Sequence, residues 1–189
     1  MSPMRRAALI LLVSLSALTL AACAPINVSV DPTPTALAAV PPFASEEEAL
    51  EAAAGTVTQF YDLGALILAE GGVDGERLGE FATPSVVAIE MTGFDELREK
   101  QLTYRGQTVM RSVTLQSYLP DAADGRGVVT AYVCADGTGV TIDYPNGDSY
   151  LSPDRQGGVP FEITFDVATR NPTTLVVSSK LYWEGAGIC

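Results

Sequence analysis

The hydrophobic period changes once along this chain, at Thr103, and that change limits the fold more than any other feature. Before it, Leu50, Ala53, Val57, Phe60, Tyr61, Gly64 and Leu68 recur at steps of three and four. That spacing draws one apolar stripe along a helix. After it, Phe161, Ile163, Phe165 and Val167 alternate with Glu162, Thr164 and Asp166, the two-residue period of a half-buried strand. Helices first and strands afterwards predict an α+β domain: three N-terminal helices packed on a curved antiparallel sheet of four to six strands.

Local signals set the boundaries. Ser45 can cap a helix, Glu48 completes a capping box, and Glu46, Glu47 and Glu48 suit the positive end of the dipole. The helix they open runs about 25 residues to Gly71-Gly72. A second, short helix fits 74–82 around Leu78 and Phe81. A third begins at Thr83-Pro84, with Pro84 in the first turn. It uses Val86, Val87, Ile89, Phe94 and Leu97 and ends near Leu102. The alternation then predicts one long strand over 104–118. Val109, Arg111, Val113, Leu115 and Ser117 share one face of it, and Met110, Ser112, Thr114, Gln116 and Tyr118 the other. Further strands follow at 128–134, 140–144, 149–151, 161–167 and 175–183. Pro145-Asn146-Gly147-Asp148 is a hairpin signal, and Asn171-Pro172 is a turn.

The N-terminus is of a different kind. Arg5 and Arg6 precede an apolar run from Ala7 to Leu20. As a helix this run would span about 21 Å, short of the ~30 Å hydrocarbon core. It fits a secretion signal better than a permanent anchor. It closes on Leu20-Ala21-Ala22-Cys23, which resembles the bacterial lipobox. The resemblance implies cleavage before Cys23, a fatty-acylated thiol such as a palmitoylated one, and retention on the extracytoplasmic face of the cell membrane. Residues 1–22 are then the signal peptide and 23–42 a lipidated tether. Five prolines fall within residues 24–42, so the tether is an extended spacer rather than a helix. Residues 43–189 make the exported domain.

Charge and composition exclude several functions. Losing Arg5 and Arg6 with the signal leaves 9 basic against 23 acidic side chains, a net of −14. Such a surface repels phosphate backbones, so nucleic acid is excluded as a partner. The chain has no histidine, which removes Ser-His-Asp, Cys-His and His-zinc chemistry in their usual forms. Asp136, Asp143, Asp148 and Asp154 fall near glycine turns but lack EF-hand spacing. No motif implies a cofactor or metal.

Several segments together carry a resemblance to a known fold family. They are Phe60-Tyr61-Asp62, Gly71-Gly72-Val73-Asp74, Ala82-Thr83-Pro84, Tyr104-Arg105-Gly106, the run Ala131 to Asp136, and the terminal Gly185-Ala186-Gly187-Ile188-Cys189. With the element order, they make the domain resemble the NTF2-like (cystatin-like α+β cone) superfamily, within it secreted actinobacterial lipoproteins. The resemblance implies a conical sheet that can enclose an apolar pocket. Its relatives include isomerases and cyclases as well as non-catalytic proteins, so the fold does not choose a function.

With Cys23 acylated, Cys134 and Cys189 remain in an oxidising compartment. A structural disulfide is expected between them, with free thiols or a redox pair as rivals. The candidate pocket residues are Tyr61, Asp62, Tyr104, Arg111 and Tyr132. Asp62 is either an acid entering the cone or a solvated carboxylate. The tyrosines, with Tyr118 and Trp183, are pocket lining or core. Arg111 either meets an anionic ligand or lies on an exposed or dimer-forming face. The leading expectation is a non-catalytic binding or accessory module for an envelope protein or a small apolar ligand. The others are a small-molecule isomerase or cyclase using an acid in the pocket, and a homodimer formed through the sheet.

Overall fold

The computed structural model describes residues 41–189, which fall in one compact unit. The apolar run, Cys23 and nearly all of the proline-rich tether lie outside the described residues. Helix α1 spans Glu46–Ala69. Ser45 caps it by accepting from the Glu48 amide at 3.2 Å, and the Glu48 carboxylate accepts from the Ala44 amide at 2.7 Å. The first bond satisfies an orphan donor of the first turn, and the second ties the residue before the cap to the helix. A 3-10 helix follows at Gly75–Glu80, and helix α2 spans Pro84–Glu99 with proline in its first turn. The three expected helical segments are therefore present, the middle one as a 3-10 helix.

Six strands follow: β1 Thr103–Arg105, β2 Val109–Tyr118, β3 Val129–Asp136, β4 Thr141–Asp143, β5 Gly158–Ala168 and β6 Asn171–Tyr182. They form two antiparallel sheets. The main one has the order β2-β3-β5-β6, and the small one pairs β1 with β4. The helices pack on the inner face of the main sheet. Val57, Phe60 and Ile67 of α1 meet Val86 and Phe94 of α2 and Val129, Ala131, Val133, Ile163, Phe165, Leu175 and Val177 of the sheet, all buried. Each large side chain of this kind stabilises the fold by about 1.5–3 kcal/mol. A second cluster joins Ala65 and Leu97 to Leu102, Tyr104 and Val140, and so seats the small sheet against the C-terminal halves of both helices.

The strand expected over 104–118 is two strands in different sheets. Gly106 separates them with φ +94°, and a Cβ there would meet the Gly139 carbonyl oxygen at 2.0 Å. Within β2 the strict alternation also fails. Register shifts leave Arg111 and Gln116 without partners in β3. Each bulge turns the following side chains over, so Met110, Val113, Leu115 and Tyr118 face the core while Val109 is exposed. The turn between β5 and β6 lies at Thr169-Arg170, ahead of Asn171-Pro172, because Ala168 already pairs with Asn171. On α2, Ile89 is exposed rather than buried.

Cys134 and Cys189 are joined in a disulfide with Cα atoms 5.2 Å apart. It ties the segment after β6 back across the outer face of the sheet. On the way, Trp183 packs on Tyr132 with centroids 4.7 Å apart, and the Ser112 hydroxyl donates to the Ile188 carbonyl at 3.2 Å.

Candidate functional site

A cavity of about 480 Å³ lies where α1, α2, the small sheet and the ends of β5 and β6 converge. Its size is that of a small-molecule site. Helix α1 contributes Phe60, Tyr61, Gly64, Ala65 and Leu68, and α2 contributes Glu90 and Phe94. Tyr104, Val140 and Leu151 come from the small sheet and its hairpin. Pro160 and Tyr182 close the sheet side. A smaller space of about 230 Å³ adjoins it and shares Leu68, Glu90 and Phe94. The lining is mostly apolar because the helical stripe of α1 and the inner face of the sheet point here without meeting. Gly64 keeps the space open: a Cβ there would meet nothing within 4 Å.

The polar groups are few and clustered. The Glu90 carboxylate pairs with the Lys180 ammonium, and their side chains are 23% and 20% exposed. The ammonium also lies 5.5 Å from the ring centroids of Phe60 and Tyr61 and 5.6 Å from that of Phe161. Three rings and a carboxylate replace the water that this charge gives up. The Tyr61 hydroxyl oxygen is buried and has no hydrogen-bond partner among the described residues. Burial, and then the nearby Glu90 charge, push the Tyr61 phenol well above its ordinary value. Burial raises the Tyr104 phenol as well, against a hydrogen bond with Thr108. At the rim, Arg155 donates to the carbonyls of Gly137, Thr138 and Val140, the last at 2.7 Å.

Of the five pocket residues expected from sequence, Tyr61 and Tyr104 line this cavity and the other three do not. Asp62 is exposed on α1, off the lining. Arg111 is exposed on the bulge of β2, where its Nε donates to Asp136 at 2.7 Å. Tyr132 lies beneath Trp183 on the outer face. Sequence reading missed Glu90 and Lys180. Glu90 left a signal, since it falls on the buried stripe of α2 between Val86 and Phe94. Lys180 left none. Alternation from Leu175 and Val177 points Leu181 inward, but a register shift in β6 between Val177 and Ser179 brings Lys180 and Tyr182 to the inner face instead.

Among the described residues, no group of three or more Cys, Asp or Glu is placed to hold a metal ion, and no helix is long and apolar enough to cross a membrane. No family model and no curated protein matches the sequence. Among solved structures, the chain is similar to the crystal structure of the intermembrane space region of the chloroplast protein ARC6. The two share 13% identity over 71% of this chain and 97% of that one, with a TM-score of 0.49. It is also similar to the solution structure of a de novo β-sheet design, at 13% identity over 75% and 92% of the two chains, with a TM-score of 0.33.

Proposed function

We propose that this chain is an extracytoplasmic lipoprotein whose NTF2-like domain holds a small apolar ligand in the cavity between its helices and its sheet, without catalysis. The cavity carries the reading: about 480 Å³ of mostly apolar lining with a few clustered polar groups. A space of that kind suits a small molecule better than a docked envelope protein. The isomerase or cyclase alternative needs a carboxylate free to take a proton from substrate. Asp62 is off the lining, and Glu90 is engaged by Lys180, so binding is the better supported of the two. The helices-then-sheet order with a cavity at the open end of the layers supports the NTF2-like assignment. The run ending in Leu20-Ala21-Ala22-Cys23 supports the anchor, and an acyl anchor of two or more chains holds a protein stably at a membrane.

The test of binding is uptake of a neutral apolar dye such as Nile red by the Cys23→Ala chain, which carries no acyl group. Gly64→Leu puts a side chain into the space while improving helix propensity. It is expected to weaken dye uptake without lowering the melting temperature. Equal uptake by Gly64→Leu refutes the cavity reading. The anchor is tested separately by feeding cells labelled palmitate: label is expected on the wild-type chain and none on Cys23→Ala.

A further inference from the structure

We infer that the cavity takes an apolar chain ending in a carboxylate, a fatty acid, with its head at Arg155 on the rim. This rests on the cavity being a binding site and goes further, by giving its apolar ligand an anionic end.

Two charged residues line the cavity, Glu90 and Arg155. Lys180 neutralises the first. The second is unbalanced. Arg77, Arg98, Arg105, Arg111 and Arg126 each pair with a carboxylate. Arg155 pairs with none among the described residues, in a chain with 23 acidic side chains. Asp154, its neighbour in sequence, makes no ion pair with it either.

Arg155 is both reachable and held in place. It is exposed. It lines the apolar cavity and also an open cleft beside it, whose other walls include Thr138, Ser149 and Ser152. The arginine therefore stands at the seam where apolar lining gives way to polar side chains. Its Nη2 donates to the carbonyls of Gly137, Thr138 and Val140, which fixes the group at the rim. Nη1 and Nε keep their N–H donors, with no acceptor among the described residues.

The charge selects the head group. A carboxylate at Arg155 receives charge-assisted hydrogen bonds and balances the one open charge of the lining. Its chain lies against Phe60, Leu68, Phe94 and Val140. A phosphate monoester brings close to two negative charges to one cation, on a strongly acidic protein. An alkylammonium is repelled by Arg155, and an alcohol leaves the charge unbalanced.

The experiment is displacement of Nile red from the Cys23→Ala chain by decanoate and by decanol, repeated with Arg155→Gln, Arg155→Lys and Arg170→Gln. Arg155→Gln is expected to weaken decanoate about five-fold while leaving decanol unchanged, the effect of losing a charged hydrogen bond partly screened by solvent. Arg155→Lys keeps the charge and is expected to keep most of the affinity for decanoate. Arg170 also lacks a carboxylate partner among the described residues but stands off the lining, and Arg170→Gln is expected to change neither ligand. Added salt is expected to narrow the gap between the parent chain and Arg155→Gln. If Arg155→Gln alters decanoate and decanol equally, or Arg170→Gln weakens decanoate as much, the cavity binds but the head-group assignment is wrong. If neither compound displaces the dye, the binding reading fails and takes this assignment with it.

Discussion

Gly158, the first residue of β5, is fixed by what lies over it. A Cβ at this position would meet the sulfurs of Cys134 and Cys189 at 3.0 Å each and the Cys189 Cβ at 3.1 Å. Any side chain must therefore push the disulfide away or push β5 out of register with β3, whose Cys134 pairs with the neighbouring Pro160. Overpacking of this kind costs about 1–3 kcal/mol. Gly158→Ala is expected to lower the unfolding free energy in urea by that much. The same substitution in a Cys134→Ser, Cys189→Ser background is expected to cost much less, because serine oxygens are smaller and the tail is free to move. A double-mutant cycle measures the difference as a coupling, and additive effects would mean that the glycine answers to something other than the disulfide. Arg111 is the contrasting case. Its ion pair with Asp136 is half in solvent, with the arginine side chain 53% exposed, and solvent screening leaves such a pair little to contribute to stability.

At the scale of elements, the small sheet and the hairpin after β4 form a flap against the helices. The Tyr144 amide donates to the Asp148 carbonyl at 2.8 Å, closing the turn that Asn146-Gly147 announces in the sequence. Tyr150 then fastens the flap to α2: its hydroxyl donates to Glu96 at 2.9 Å, and Lys100 lies over its ring. Hydrogen bonds from Lys100 and Tyr150 hold the Glu96 carboxyl below the usual carboxylate range. A depressed acid stabilises the folded state above its unfolded value, and the contribution is lost as pH falls through the folded value. Lys100 is shifted upward, chiefly by its hydrogen bond to Glu96, so its share is lost only as pH rises through that raised value. The latch therefore holds near neutrality and fails first on the acid side. Tyr150→Phe is expected to speed amide exchange in β4 and residues 149–151 at neutral pH while β3 and β5 stay protected. The wild-type flap is expected to loosen in the same way in acid once intrinsic rates are divided out. Unchanged protection in the variant would mean that the apolar cluster of Leu102, Tyr104 and Val140 seats the flap alone. The hairpin and α1 were legible in the sequence because caps and turn residues act locally. The separate small sheet was not, since Gly106 reads as one more residue in an alternating run until its positive φ is known. The bulges at Arg111, Gln116 and in β6 were hidden for the same reason. A strand pattern fixes the faces only while each residue has one partner, and Arg111, expected at the pocket, stands away from it on that account.

The whole domain is held at both of its chain ends. At the N-terminal end, buried Phe43 exchanges two hydrogen bonds with the Tyr118 hydroxyl at the end of β2, at 3.1 and 2.7 Å. At the C-terminal end, the chain beyond β6 crosses the outer face of the sheet, lays Trp183 on Tyr132, and is locked to β3 through Cys134–Cys189. The tail thus occupies part of the outer face considered above for homodimerisation. The bridge spans 55 residues of sequence and encloses β4 of the small sheet together with β5 and β6, half of the main sheet. In the chain-entropy model a loop of that length restricts the unfolded chain by about 4 kcal/mol. Domains of this size are stable by only about 5–15 kcal/mol in total, so the bridge is a large share of what keeps the domain folded. Cys134→Ser with Cys189→Ser is expected to lower the unfolding free energy by about 4 kcal/mol in urea. It should also steepen the denaturant dependence, because an uncrosslinked unfolded chain exposes more surface. The two readouts separate the causes. A lower midpoint with an unchanged slope would place the loss in native contacts of the tail, and an unchanged midpoint would remove the disulfide from the account of stability altogether.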